Sequence, residues 1–232
     1  MKIYIYNPER EFLDPYLKRS LGFADIIDKA EDAERCFMIS STDIYRAPEG
    51  NLIGEDAPTD STSAWAALEK AFREECGDRP AVILRCADII GTGMNGWPRE
   101  LAERIWKGSL MHFAGNETRV SVVHAADVAA AVAALASAET ATNGIFNITD
   151  GDNPTFHDLV DSLAFRMKDK HVSTLSTKGQ LWFGRLFYGK RLYRRFTLER
   201  TFDCGALCRI IDYRPTPVTE YLRTHIYDES SL

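Results

Sequence analysis

The sequence predicts an α/β fold, a parallel sheet with helices on both faces and a small, mostly helical lobe at the C-terminal end. Three observations predict it. Short β-prone runs alternate with helical periodicities from Lys2 to about Lys168, which requires crossover connections and therefore parallel pairing. Runs such as Ala81-Val-Ile-Leu-Arg85 and Cys36-Phe-Met-Ile-Ser40 are apolar on successive residues, as in strands covered on both faces. Beyond Lys170 the texture changes to aromatics (Trp182, Phe183, Phe187, Tyr188, Tyr193, Phe196) set among arginines and lysines. The division that follows is residues 1–168 as the α/β unit, with interleaved segments of a second lobe, and 169–232 as the C-terminal segment.

In order, residues 2–6 alternate Ile and Tyr and read as a first strand. Residues 15–30 carry apolar side chains at Leu17, Leu21, Ala24, Ile27 and Ala30 and read as a helix. Residues 36–40 form a second strand. Residues 47–60, rich in Pro, Gly and acids, read as a loop, and 63–75 as a helix. A third strand covers 81–85, a loop 91–96, and a helix 99–107 stopped by Gly108. Residues 121–123 are a short strand, 127–137 an alanine-dominated helix and 145–148 a strand. Residues 155–168 are a helix with Thr155 placed to cap it.

Composition narrows function. The chain has 232 residues, 45% hydrophobic and 27% charged, enough for one real core. A formal net charge of −6 argues against general nucleic-acid binding, which draws its affinity from a basic face. No apolar run approaches the ~20 residues of a membrane span. The start, Met1-Lys-Ile-Tyr-Ile-Tyr-Asn, lacks the apolar core of a cleavable signal, so Asn116-Glu-Thr118 is an idle glycosylation match. The five scattered cysteines form no disulfide framework, and a reducing cytoplasm is the expected setting.

Several fragments share one pattern: Phe37-Met-Ile-Ser-Ser-Thr-Asp-Ile-Tyr45, Glu55-Asp-Ala-Pro58, Val82-Ile-Leu-Arg85 followed by Ile90-Gly-Thr-Gly93, Val123-His-Ala-Ala-Asp-Val-Ala129, and Gly144-Ile-Phe-Asn-Ile148. In this order and spacing they resemble the extended short-chain dehydrogenase/reductase family, especially its NAD-dependent nucleotide-sugar epimerases and dehydratases. They cover about half of the chain; Phe202-Asp203 and Tyr213-Arg-Pro215 match loosely. The resemblance implies a Rossmann-like sheet, a sugar-nucleotide ligand and NAD or NADP as cofactor.

Two departures qualify it. Such a fold cradles the dinucleotide pyrophosphate on a Gly-x-x-Gly-x-x-Gly turn after its first strand, and no such run exists here. Gly91-Thr-Gly93 lies in the second half and is no substitute. The order of fragments makes residues 2–6 the family's fourth strand, so the sheet is expected to be a truncated Rossmann-like one. The family's relay needs Tyr-x-x-x-Lys, whose lysine one turn away lowers the phenol pKa. Registered on Ala66-Ala-Leu-Glu69, the Tyr and Lys positions hold Ser61 and Trp65. A register shifted by four places Trp65 and Glu69 there, again without a relay.

Ser41 remains at the position of the family's catalytic hydroxyl; the plainer alternative is a serine closing the strand-to-loop turn. Asp88 follows the Leu-Arg strand near the family's substrate contacts, or is a turn residue. His124 and Asp127 read as a structural pair in which Asp127 accepts backbone N–H bonds, and Asn147 as structural. Cys204 and Cys208 share a helix face without further metal ligands nearby, and so read as small buried thiols. Glu74-Glu75 and Glu55-Asp56 read as solvated acids. Lys190-Arg-Leu-Tyr-Arg-Arg195 offers Arg191 and Arg194 to a nucleotide diphosphate, an acidic partner or lipid, or is an amphipathic helix whose arginines snorkel outward.

The expectation is a non-catalytic or impaired homologue, a pseudoenzyme, binding a partner or sugar-nucleotide-like ligand. No cofactor is expected, and NAD(P) only if a missing N-terminal half is supplied. An active epimerase, dehydratase or reductase so completed is one alternative. Another is a structural subunit, because residues 2–6, stripped of neighbours, become an open edge suited to pairing in a homodimer.

Overall fold

The computed structural model describes residues 1–8, 10–47, 49–113, 117–139, 142–167, 172–175 and 190–224. Its strands are β1 (Lys2–Tyr6), β2 (Asp25–Ile27), β3 (Arg35–Ser41), β4 (Gly50–Ile53), β5 (Ala81–Cys86), β6 (Asp88–Ile90), β7 (Met111–Phe113), β8 (Val122–His124), β9 (Gly144–Ile148), β10 (Ser173–Leu175) and β11 (Arg200–Phe202). The helices are α1 (Asp14–Ser20), α2 (Ala64–Cys76), α3 (Gly96–Trp106), α4 (Ala125–Ser137), α5 (Phe156–Arg166), α6 (Lys190–Thr197), α7 (Gly205–Ile210) and α8 (Val218–Thr224).

The main sheet is five-stranded in the order β2-β1-β3-β5-β9, with every pairing parallel. Strand alternation sorts its side chains. Ile3, Phe37, Ile39, Val82 and Leu84 face α1 and α4. Tyr4, Cys36, Met38 and Ile83 face α2. Tyr4 and Tyr6, two apart and so on one side, both stack on Phe72 of α2 with centroids 6.3 Å away. Burying a side chain the size of Phe72 is worth about 1.5–3 kcal/mol, enough to fix the face α2 presents. Alanines share the inner face of α4 with Val128, Val132 and Leu135, and α1 packs beside it.

A second core gathers Trp97, Leu101 and Ile105 of α3, Phe156, Leu159 and Leu163 of α5, Leu192 of α6, and Val218 and Leu222 of α8. It lies under the small parallel pair β6–β8, and segments on both sides of residue 168 contribute to it. Trp182, Phe183, Phe187 and Tyr188 fall outside the described residues.

The structure corrects three expectations. Residues 15–30 are not one helix: α1 stops at Ser20, and Asp25–Ile27 turns back as β2 alongside β1 (Ile3 opposite Ile26). Residues 2–6 are therefore not an open edge, since β1 is hydrogen-bonded on both sides, and the route to a homodimer through that edge is closed. Residues 47–60 contain β4, which pairs with β11 and draws the end of the chain onto the sheet domain. These strands are three or four residues long, too short for alternation to register in sequence.

Candidate functional site

From β1 the chain crosses to β2 on one side, whereas β3 lies on the other, so strand order reverses between β1 and β3. In open α/β sheets ligands settle at the carboxyl ends of strands where the order reverses. A cleft of about 670 Å³ opens there. Arg10 and Phe12 follow β1; Ser41, Asp43, Tyr45 and Arg46 follow β3; Asp88 and Ile89 follow β5; Trp65 and Trp97 come from the first turns of α2 and α3; Arg194, Arg195 and Arg200 close it from the C-terminal segment.

The arginines divide into two sets. Arg195 and Arg200 are held by carboxylates: Arg195 Nη2 lies 3.1 Å from Asp43 and 3.1 Å from Asp88, and Arg200 Nη1 3.0 Å from Asp43. Arg200 Nη2 also donates to the carbonyls of Thr42 (2.9 Å) and Tyr45 (3.1 Å). Burial pushes the Asp43 carboxyl upward, but the two guanidiniums outweigh it and hold it below the usual carboxylate range. Burial wins at Asp88, aided by the charge of Asp43, and its carboxyl is raised despite Arg195. Arg10 differs: its guanidinium lies 5.3 Å from the Trp65 ring centroid, and its buried Nη1 has no hydrogen-bond partner among the described residues.

Behind the cleft is a polar brace. Arg85 makes two parallel hydrogen bonds to Glu69 (Nε to Oε1 2.9 Å, Nη2 to Oε2 2.8 Å), and Ser40 donates to the same carboxylate at 2.7 Å. Ser40 and Arg85 are register partners on β3 and β5, facing α2. The Arg85 guanidinium also lies 5.0 Å from the Tyr45 ring, and the Tyr45 hydroxyl donates to Asn147 at 2.6 Å. Asn147 Nδ2 donates to the Ile53 carbonyl, and its backbone N–H donates to Glu55.

Of the residues singled out from sequence, Ser41, Trp65, Asp88 and Arg194 line the cleft. Ser41 Oγ accepts from the Asp43 N–H at 3.1 Å, closing the turn after β3. Ser61 is exposed in the turn before α2 and is not part of the cleft lining, and Glu69 is committed to Arg85. Arg191 belongs to α6; its side chain is outside the description. His124, not Asp127, caps α4, accepting from the Ala126 N–H through Nδ1, while Asp127 accepts from Thr216 N–H. Glu55 is likewise tied to β9 rather than simply solvated. Gly91 is a packing residue: a Cβ there would stand 2.8 Å from that of Ala125. Among the described residues no group of three or more His, Cys, Asp or Glu is placed to hold a metal ion.

The loop after β1 does not fit a dinucleotide. It reads Asn7-Pro8-Glu9-Arg10, in which Pro8 has no N–H to offer a phosphate. Asn7 Nδ2 ties the loop to the Arg10 carbonyl and to Asp14. Glu11 and Asp14 place carboxylates at the helical start where a pyrophosphate would dock.

No protein-family model matches the chain, and no curated protein sequence matches it. Solved structures do. UDP-N-acetylglucosamine 4-epimerase from Bacillus cereus is 12% identical with a TM-score of 0.68, over 97% of this chain and 97% of that one. The human epimerase family protein SDR39U1, solved with NADPH, is 10% identical with a TM-score of 0.68, over 97% and 98%. UDP-glucose 4-epimerase from Thermotoga maritima, solved with UDP-glucose, is 15% identical with a TM-score of 0.65, over 96% and 96%. The fold is Rossmann-like and is shared with sugar-nucleotide epimerases. No helix among the described residues is long and apolar enough to cross a membrane.

Proposed function

We propose that this protein binds a sugar-nucleotide-like ligand in the cleft between β1 and β3 and does not run nicotinamide chemistry there. The carrying observation is the arginine wall of that cleft, Arg10, Arg46, Arg194, Arg195 and Arg200, in a chain of net charge −6. Guanidinium groups match phosphate oxygens in geometry and charge. The volume suits a nucleotide-sized molecule. Fold likeness to proteins solved with UDP-glucose supports the ligand class.

Absence of redox chemistry follows from the residues at the two places the family uses. The loop after β1 offers proline, arginine and acids in place of glycines. In the registers that the resemblance implies, Trp65 takes a relay position, where its indole has no readily exchanged acid proton, and Ser61 does not line the cleft. The matched spans run over nearly the whole of the solved chains, and β1 is followed by a crossover and then by the reversal of strand order, as a first strand is. These features favour reading β1 as the first strand of such a sheet rather than the fourth. Isothermal titration with UDP-glucose and with NAD and NADP tests the proposal. Saturable heat is expected with the sugar nucleotide and none with the dinucleotides; tight NAD or NADP binding by the single chain would refute it.

A further inference from the structure

We infer that Arg10, seated on Trp65, fills the place a dinucleotide pyrophosphate would take and is the anchor for a diphosphate carried by a different ligand. The inference rests on the reading of the cleft as a ligand site and names the residue and ligand group that decide its chemistry.

Arg10 stands at the strand-order reversal, the position toward which both β1 and β3 direct their ends. Its guanidinium lies over the Trp65 ring, which supports a cation without engaging its N–H groups. A buried guanidinium nitrogen without a partner is costly, and the Nη1 of Arg10 is such a group among the described residues. An anion entering the cleft satisfies it. Glu11 and Asp14, which stand at the helical start, do not line the cleft, and the carboxylates that do leave this role open. Asp43 and Asp88 are engaged by Arg195 and Arg200, and Asp60 accepts from Thr62 and lies near Arg46. Arg194, exposed in the same cleft lining, provides a second cation, which is why two linked phosphates fit better than one carboxylate.

The test is titration of inorganic pyrophosphate, UDP-glucose and uridine into the wild type and into Arg10→Ala, Arg10→Lys and Trp65→Leu, with thermal melts to verify folding. No side-chain hydrogen bond holds Arg10 among the described residues, so its alanine variant is expected to melt near the wild type. Arg10→Ala is expected to weaken pyrophosphate and UDP-glucose at least tenfold and to lower the salt dependence of their binding, leaving uridine unchanged. Arg10→Lys should recover part of the loss. Trp65→Leu should weaken pyrophosphate about two- to fivefold, the size of a lost cation–π contact. Unchanged UDP-glucose binding in Arg10→Ala would overturn this inference and leave the proposed function standing. Pyrophosphate binding that depends on Arg10, with no UDP-glucose binding in the wild type, would uphold the inference and overturn the proposed function. A wild type that binds neither phosphate ligand would overturn both.

Discussion

Asp150 shows how a single buried carboxylate sets a pH dependence. It is 4% exposed, and its oxygens accept backbone N–H bonds from Asp152, Asn153 and Val218. Burial nevertheless dominates and raises its pKa to about 6. A folded-state pKa above the unfolded value means the native state holds the proton more tightly, so the stability that Asp150 contributes is greatest below about pH 4 and is lost as pH rises through about 6. The shift corresponds to about 3 kcal/mol at most. Asp150→Asn should flatten the dependence of denaturant midpoint on pH between 4 and 6. Its amide NH2 must oppose one of the three N–H donors, so overall stability should fall while the slope disappears. At this scale the sequence was partly readable. Ser41 and Asp88 could be located because the first ends an apolar strand and the second follows one, where cleft residues collect. Arg195 stood in a conspicuous basic run, but Arg10 and Arg200 left no comparable mark: an arginine in a polar stretch looks the same whether it faces solvent or a carboxylate far along the chain.

At the level of elements, the Glu69–Arg85 pair joins α2 to the sheet. Both side chains are nearly inaccessible, 7% and 5% exposed. Glu69→Gln leaves Arg85 buried without its counter-charge, which costs about 3–5 kcal/mol. The expected outcome is a fall in melting temperature of about 10 °C, from the usual ~2–4 °C per kcal/mol for a domain of this size. Glu69→Gln with Arg85→Met should lose less than Arg85 left alone, and the double-mutant cycle measures the difference. The main strands and the helices at 63–75 and 155–168 were legible because their periodicity persists over enough residues to be distinctive, and Thr155 caps its helix as expected, accepting from Asp158 N–H. Segment 15–30 was misread for the converse reason. Its apolar positions come from two sources, Leu17 and Leu21 packed against α4 and Ala30 packed on the α2 face, and together they imitate one helix.

For the whole molecule, the decisive arrangement is the grip of the C-terminal segment on the sheet. Arg195 joins α6 to Asp43 and Asp88, and Arg200 of β11 joins the same Asp43. Arg195→Ala leaves the largely buried Asp88 without its ion-pair partner, while Asp43 keeps Arg200, a loss of about 3 kcal/mol. Limited proteolysis should then cut the 190–224 region well before the sheet domain, whereas the wild type should lose both together. The attachment of the C-terminal segment was not readable from composition, because it depends on pairings between distant parts of the chain.

Asp43 meets Arg195 across 152 positions and Arg200 across 157. During synthesis, β3 and its turn therefore emerge long before the cations that complete them. The nascent chain can assemble a sheet early, yet the arginine wall beside Asp43 closes only once residues 194–200 have left the ribosome.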